Sequence, residues 1–148
     1  MKVCRCNTTK IANYMGKISG PLLDRIDIHV EIPAIKYKEL TEINEAESSA
    51  AIKSRVEQAR AIQRERLKDN SYFCNAQMNS KLIRKYCLLD DSAKKLFKMA
   101  LTELGLSARA YDKILKIAKT ISDLAGCDII KSEHISEAVQ YRSLDRQF

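Results

Sequence analysis

Residues Gly105 to Gly126 read GLSARAYDKILKIAKTISDLAG. Ser107 stands just before an apolar-periodic run, where its hydroxyl can accept a backbone N–H that the first helical turn leaves unpaired, and Gly126 follows the last turn as a stop. The stretch therefore predicts a helix over about Ala108 to Ala125. On it Tyr111, Ile114, Ala118, Ile121 and Ala125 form the buried stripe, while Arg109, Lys113 and Lys116 project from the opposite side. Working outward, Asp90 caps a helix whose Ala93, Leu96, Phe97, Ala100, Leu101 and Leu104 share one side, ended by Gly105. Downstream, Ser132 caps a short helix carrying Ile135, Ala138 and Val139, and the tail after Tyr141 is expected to fray. Upstream lie a short helix over about Ser80 to Cys87, a polar loop from Asn70 to Gln77, and a long helix over about Ser48 to Lys68 with Ile52, Val56 and Ala59 on its stripe.

The first third of the chain reads differently. TTKIANYMGK is a short helix capped by Thr8 or Thr9, and Gly20-Pro21 breaks the chain after it. Ile26, Ile28, Val30 and Ile32 then alternate with Asp27, His29 and Glu31 until Pro33, the pattern of a half-buried strand. A lone strand cannot satisfy its own backbone groups, and no other segment is a convincing strand. The expected architecture is thus mainly α: a compact bundle of about five helices, preceded by a short helix and one orphan β-strand from a truncated α/β core. The boundary falls between residues 1–46 and 47–148.

At 148 residues, with 45% apolar and 30% charged side chains, the chain is long enough to bury a core. No apolar run reaches the length that spans a bilayer, and the N-terminal decapeptide lacks the apolar core of a secretory signal. A cytoplasmic location without a membrane partner is expected, and the five cysteines should be reduced thiols. Cys4 and Cys6 form a C-x-C pair but lack a second close Cys/His pair, so no metal site is assigned. The net charge of +7 suits a polyanion such as DNA, or merely a soluble surface. Lys53, Arg60, Arg64 and Lys68 share one face of the long helix; that face could track phosphates or be a solvated flank.

Neither a G-x-x-x-x-G-K-[ST] loop nor a G-x-G-x-x-G turn is present, so the chain alone should hold no nucleotide tightly. His29, on the polar side of the strand, and His134, in a first helical turn, read as surface residues. Arg25 and Arg109 are of more interest. Arg25 sits between a tight turn and a strand. Arg109 lies in a first turn, where the helix dipole disfavours a cation unless an anion is near. Local pairing is the plain alternative: Arg25 with Asp24 or Asp27, and Arg109 with Asp112.

KISGPLLDRIDIHVEIP, ESSAAIKSRVEQARAIQRER, NAQMNS, GLSARAYDKILKIAKTISDLAG and HISEAVQYRSLDR together resemble the C-terminal third of the magnesium-chelatase-like AAA-plus ATPases of the ComM (YifB) family. The resemblance runs over nearly the whole chain. It implies that the sequence is a piece of a longer protein whose N-terminal AAA-plus core carries the Walker motifs, rather than a degenerate protein. It implies further that Arg25 is the arginine finger reaching ATP in a neighbouring subunit, and that Arg109 is the sensor-2 arginine of a helical lid. ATP and Mg2+ would serve the parent protein, with none bound to this chain alone. The partners implied are the missing core, further copies in a ring, and DNA that the motor remodels in recombination or transformation. Lys113 and Lys119 stand where many members carry arginine, and Ser122 where they carry alanine; neither lysine is assigned a catalytic role. Two other readings stay open: the motor subunit of a true magnesium chelatase, and a free-standing helix-turn-helix DNA-binding module with Arg109, Lys113 and Lys116 on its recognition helix.

Overall fold

Helix starts follow side-chain caps in the structure, a computed structural model that describes residues 5–34 and 46–142. Among the described residues there are seven α-helices: α1 (Thr8–Met15), α2 (Gly20–Leu23), α3 (Ser49–Leu67), α4 (Ser80–Tyr86), α5 (Asp91–Glu103), α6 (Ala108–Leu124) and α7 (Ser132–Gln140). Asp90 and Ser107 cap α5 and α6 as expected and Ser48 caps α3, each accepting from the backbone N–H three residues on. The cap of α1 is Asn7 rather than Thr8 or Thr9, its Oδ1 accepting from the Lys10 N–H at 2.9 Å. Lys131, not Ser132, occupies the cap position of α7. There the His134 imidazole folds back, its Nδ1 accepting from the Lys131 N–H at 3.1 Å. Gly105 and Gly126 take φ values of 58° and 67° behind α5 and α6, the left-handed conformation that glycine adopts without steric cost.

The core joins α3 to α7. Leu67, Met78, Leu82, Ile83, Phe97, Ile114, Ala118, Ile130 and Ile135 are buried within one cluster. Here α6 packs on α7, α3 and α4, and α5 packs on α7. Phe97 stacks on Tyr111 with ring centroids 5.0 Å apart. On α6 the sequence stripe needs correction at its edges: Tyr111 and Ala125 are exposed, while Lys119, Ser122 and Asp123 are buried. On α3 the buried positions are Ala59, Gln63 and Leu67, and Ile52 and Val56 face solvent. Gln63 replaces an apolar residue on that stripe because its Oε1 accepts from the Asn75 N–H at 3.2 Å.

A polar network ties α3 to α6 inside this shell. Arg66 reaches Asp123 with both terminal nitrogens, at 2.9 and 2.5 Å, and Asn75 donates to the same carboxylate at 2.8 Å. Lys119 Nζ lies 3.6 Å from Asp123 and donates to the Asp128 carbonyl at 2.6 Å. Ser122 donates to the Cys127 carbonyl. Within NAQMNS, Asn75 serves this network, Gln77 accepts from the Phe73 N–H, and Asn79 caps α4; its polar residues are fold-building.

The orphan strand is not formed. Among the described residues the isolated bridge between Leu89 and Ile130 is the only β pairing. Residues 26–34 run without a ladder because no second strand lies beside them. Their burial is also the reverse of the expected: Ile28, Val30 and Ile32 are exposed, Ile32 at 83%, whereas His29 is 6% exposed. The two histidines read as surface residues are thus both buried. The fraying expected after Tyr141 fails at its first residue, since Arg142 is 1% exposed; residues 143–148 lie outside the described residues. The C-x-C pair is only half described: Cys6 is exposed and Cys4 lies outside.

Removing one partner of a buried ion pair leaves the other uncompensated, so Asp123→Asn should destabilise the fold by about 3–5 kcal/mol. Lys119→Met should cost less than about 1 kcal/mol, because Asp123 keeps both Arg66 bonds. Burial first, and repulsion from Arg66 next, hold the Lys119 ammonium below its ordinary 10.5. The unfolded chain then keeps that proton to higher pH, so this group makes stability rise with pH towards 10.5. The Cys87 thiol, pushed up by burial to about 11, has the opposite effect. Urea denaturation in a Cys87→Ala background should show the rise, and show it flattened by Lys119→Met.

Candidate functional site

The segment after α2 crosses the N-terminal half of α6, and the charged residues of the two meet there. Pro21 sits in the first turn of the one-turn helix α2, so Gly20-Pro21 starts a turn instead of only breaking the chain. That turn closes with the Arg25 N–H donating to the Leu22 carbonyl at 3.0 Å. Asp24, at the C-cap of α2, accepts from the Ser107 hydroxyl at 3.0 Å and from Arg109 Nη1 at 2.9 Å. Arg142 Nη2 lies 3.9 Å from the same carboxylate. Burial alone would raise the Asp24 carboxyl, but the Ser107 hydroxyl and the Arg109 and Arg142 guanidiniums outweigh it and hold it below the ordinary value.

Arg25 is exposed, and its side chain makes one bond among the described residues, from Nη1 to the Pro21 carbonyl at 3.3 Å. Its expected local partners, Asp24 and Asp27, pair instead with Arg109 and Lys113. Arg109 is 58% exposed at its side chain and pairs with Asp24, 85 residues away, rather than with Asp112; the latter accepts from the Ser80 hydroxyl. The carboxylate at the start of α6 also answers the dipole objection in part, since it neutralises the cation that the helix N-terminus disfavours. Two exposed guanidiniums thus belong to this region, Arg109 on the Asp24 carboxylate and Arg25 on the residue next to it. Planar, permanently charged donors of this kind suit the oxygens of a phosphate chain.

Other cations on α6 are not free to read a groove. Lys113 donates to the Arg25 carbonyl at 2.5 Å and lies 2.6 Å from Asp27, and Lys116 donates to the Ala76 carbonyl at 2.9 Å. Sequence reading placed both on a solvent face, because a helical wheel does not register a long side chain bending onto a neighbouring carbonyl. Arg142 was missed altogether; it donates to the Ile26 carbonyl from its buried position. Its charge gave no signal, since buried arginines are rare in a base-rate reading. On α3, Lys53, Arg60 and Arg64 are exposed, with Lys53 lying 3.7 Å from Glu57. No group of three or more His, Cys, Asp or Glu side chains arranged to hold a metal occurs among the described residues. Nor is any helix among them long and apolar enough to cross a membrane.

Known proteins match the chain along nearly its full length. The family model described as magnesium chelatase, subunit ChlI C-terminal, matches residues 46–142, and that for magnesium chelatase, subunit ChlI, matches residues 1–40. The chain is 39% identical over 143 residues to the YifB protein of Escherichia coli, covering 96% of this chain and 28% of the relative. It is 38% identical over 143 residues to the competence protein ComM of Haemophilus influenzae, covering 96% and 27%. A Mycobacterium tuberculosis protein is 29% identical over 139 residues, covering 94% and 27%. The chain therefore spans little more than a quarter of the length of these curated relatives.

A carboxylate held by two donors should titrate low. NMR titration of Asp24 should give a midpoint below 3.8 that moves upward in Arg109→Gln. Because the depressed value belongs to the docked state, the contribution of Asp24 to docking is full above that ordinary value and is lost as pH falls through the folded one.

Proposed function

Because the chain belongs to the magnesium chelatase ChlI C-terminal family, we propose that it is the C-terminal part of an AAA-plus ATPase in which residues 1–46 end the nucleotide-binding core and 47–148 form the helical lid. One observation carries the reading: Arg25 and Arg109 both keep exposed side chains, and Arg109 pairs with Asp24, the residue next to Arg25 in the chain. Arg25 acts as the arginine finger towards a neighbouring subunit, and Arg109 as the sensor-2 residue towards the nucleotide of its own. ATP with Mg2+ supplies the phosphoanhydride bond that is cleaved and the charge that develops on its oxygens. Against that charge the Arg25 guanidinium donates from outside the subunit, in a fixed planar fork. Arg109 exchanges Asp24 for phosphate oxygens; the carboxylate is a fair stand-in, being a planar anion that accepts from the same nitrogen. No residue of this chain is assigned to the Mg2+ ion.

The working assembly is a ring of identical subunits in the cytoplasm, since a finger needs a neighbour to act on. The motor remodels DNA in recombination or transformation. Support comes from the Haemophilus influenzae relative, named a competence protein, and from the exposed Lys53, Arg60 and Arg64 on α3. A free-standing helix-turn-helix module fits less well, because Lys113 and Lys116 bend onto carbonyls within the chain. A chelatase motor differs in cargo alone, and would show no DNA-stimulated turnover.

The test is a graft of residues 1–148 in place of the segment they match in the Escherichia coli relative. Arg25→Ala should lower ATP turnover by about 10³-fold or more while leaving ATP affinity nearly intact. Arg109→Ala should weaken nucleotide binding as well. A turnover rate unmoved by Arg25→Ala would sink the finger assignment. Replacing Lys53, Arg60 and Arg64 together should lessen the salt dependence of DNA binding by about three phosphate contacts.

A further inference from the structure

We propose that Lys113 is the positioning residue of the Arg25 finger: its ammonium fixes the backbone from which the guanidinium is presented. This rests on the finger reading above and adds to it a residue that touches neither nucleotide nor reacting atoms. Both backbone groups of Arg25 are held. Its N–H donates to the Leu22 carbonyl at 3.0 Å, and its carbonyl accepts from Lys113 Nζ at 2.5 Å. The same ammonium lies 2.6 Å from Asp27 Oδ1, so it bridges the residues on either side of Ile26. Arg142 holds the Ile26 carbonyl between them. The Arg25 side chain itself is exposed, with a single bond of 3.3 Å to the Pro21 carbonyl.

The geometry decides between positioning and surface decoration. Lys113 is 16% exposed at its side chain, against 75% for Lys53 on α3; a lysine that bends inward gives up rotamer freedom and must recover it in bonds. It lies one helical turn beyond Arg109 on α6, so one helix edge grips the finger segment at Asp24 and again at Arg25 and Asp27. A trans-acting group gains its effect from being presented in a narrow range of positions, and a displacement of about 1 Å at such a group can cost about 10²-fold in rate. A bond to the main chain of Arg25 itself controls that displacement more directly than any contact further along the segment.

The experiment uses the full-length graft with Arg25→Ala, Lys113→Met, Lys113→Arg and the Arg25→Ala/Lys113→Met double variant. Lys113→Met keeps the apolar stem and should lower kcat by about 10- to 100-fold with KM for ATP unchanged. Lys113→Arg should restore most of that loss, because a guanidinium can also donate to a carbonyl and a carboxylate together. The double variant should be no slower than Arg25→Ala alone, since Lys113 acts only through Arg25. A double variant slowed by the product of the two single effects overturns the proposal, as does Lys113→Met with an unchanged kcat beside an inactive Arg25→Ala. An active Arg25→Ala rejects the finger reading itself. Should Lys113→Met fail to fold by thermal unfolding, Asp27→Asn at its exposed position carries the test: kcat should fall with KM unchanged, and an unaltered kcat counts against the proposal.

Discussion

Asp123 carries a charge with no exposure to solvent, and the bundle is organised around satisfying it. Its two oxygens receive Arg66 from α3 and Asn75 from the turn before α4, while Lys119 stands one helical turn away. Such a cluster gives little net stability, because desolvation cancels much of the attraction, but it penalises any arrangement that separates its members. The register of α3 against α6 is set by that penalty. Once it is set, Ser107 and Arg109 come to stand at the end of α6 facing the segment after α2.

That segment has little structure of its own. It is held by side chains of the helical bundle and of Arg142 rather than by a sheet, with Arg109, Lys113 and Arg142 meeting Asp24, Arg25, Ile26 and Asp27 in turn. The arrangement explains why charge, not apolar surface, joins the two parts: Ile28 and Val30 face outward. An apolar joint would be non-directional, whereas hydrogen bonds to successive carbonyls fix the path of the chain.

The helices were legible because their signals are local. Asp90, Ser107, Gly105 and Gly126 act within four residues of themselves, and the structure uses them as written. Where reading failed, the deciding bond was one that hydrophobic periodicity does not carry. Gln63 is buried by a bond to Asn75, His134 by a bond to its own helix start, and Arg142 by a carbonyl 116 residues away. The alternation from Ile26 to Ile32 was real as a pattern, but a pattern of period two does not say which side is covered; here the covered residue is His29. At the site, the residue types of Arg25 and Arg109 could be singled out, while Asp24 as the partner of Arg109 and Lys113 as the donor to the Arg25 carbonyl could not. Both depend on contacts that only the folded chain creates.

The attachment of the segment after α2 has a consequence for how the molecule comes apart. Its bonds to α6 and to Arg142 close loops of 83 to 116 residues, so their entropy of closure is large and few apolar contacts reward it. The helical cluster, by contrast, closes over shorter separations, such as the 57 residues between Arg66 and Asp123, and buries an apolar core. The segment is therefore the first part to detach and the last to return, opening at a free energy below that of the bundle. An arm that can unlatch while its anchor stays folded is suited to answering events on either side of it.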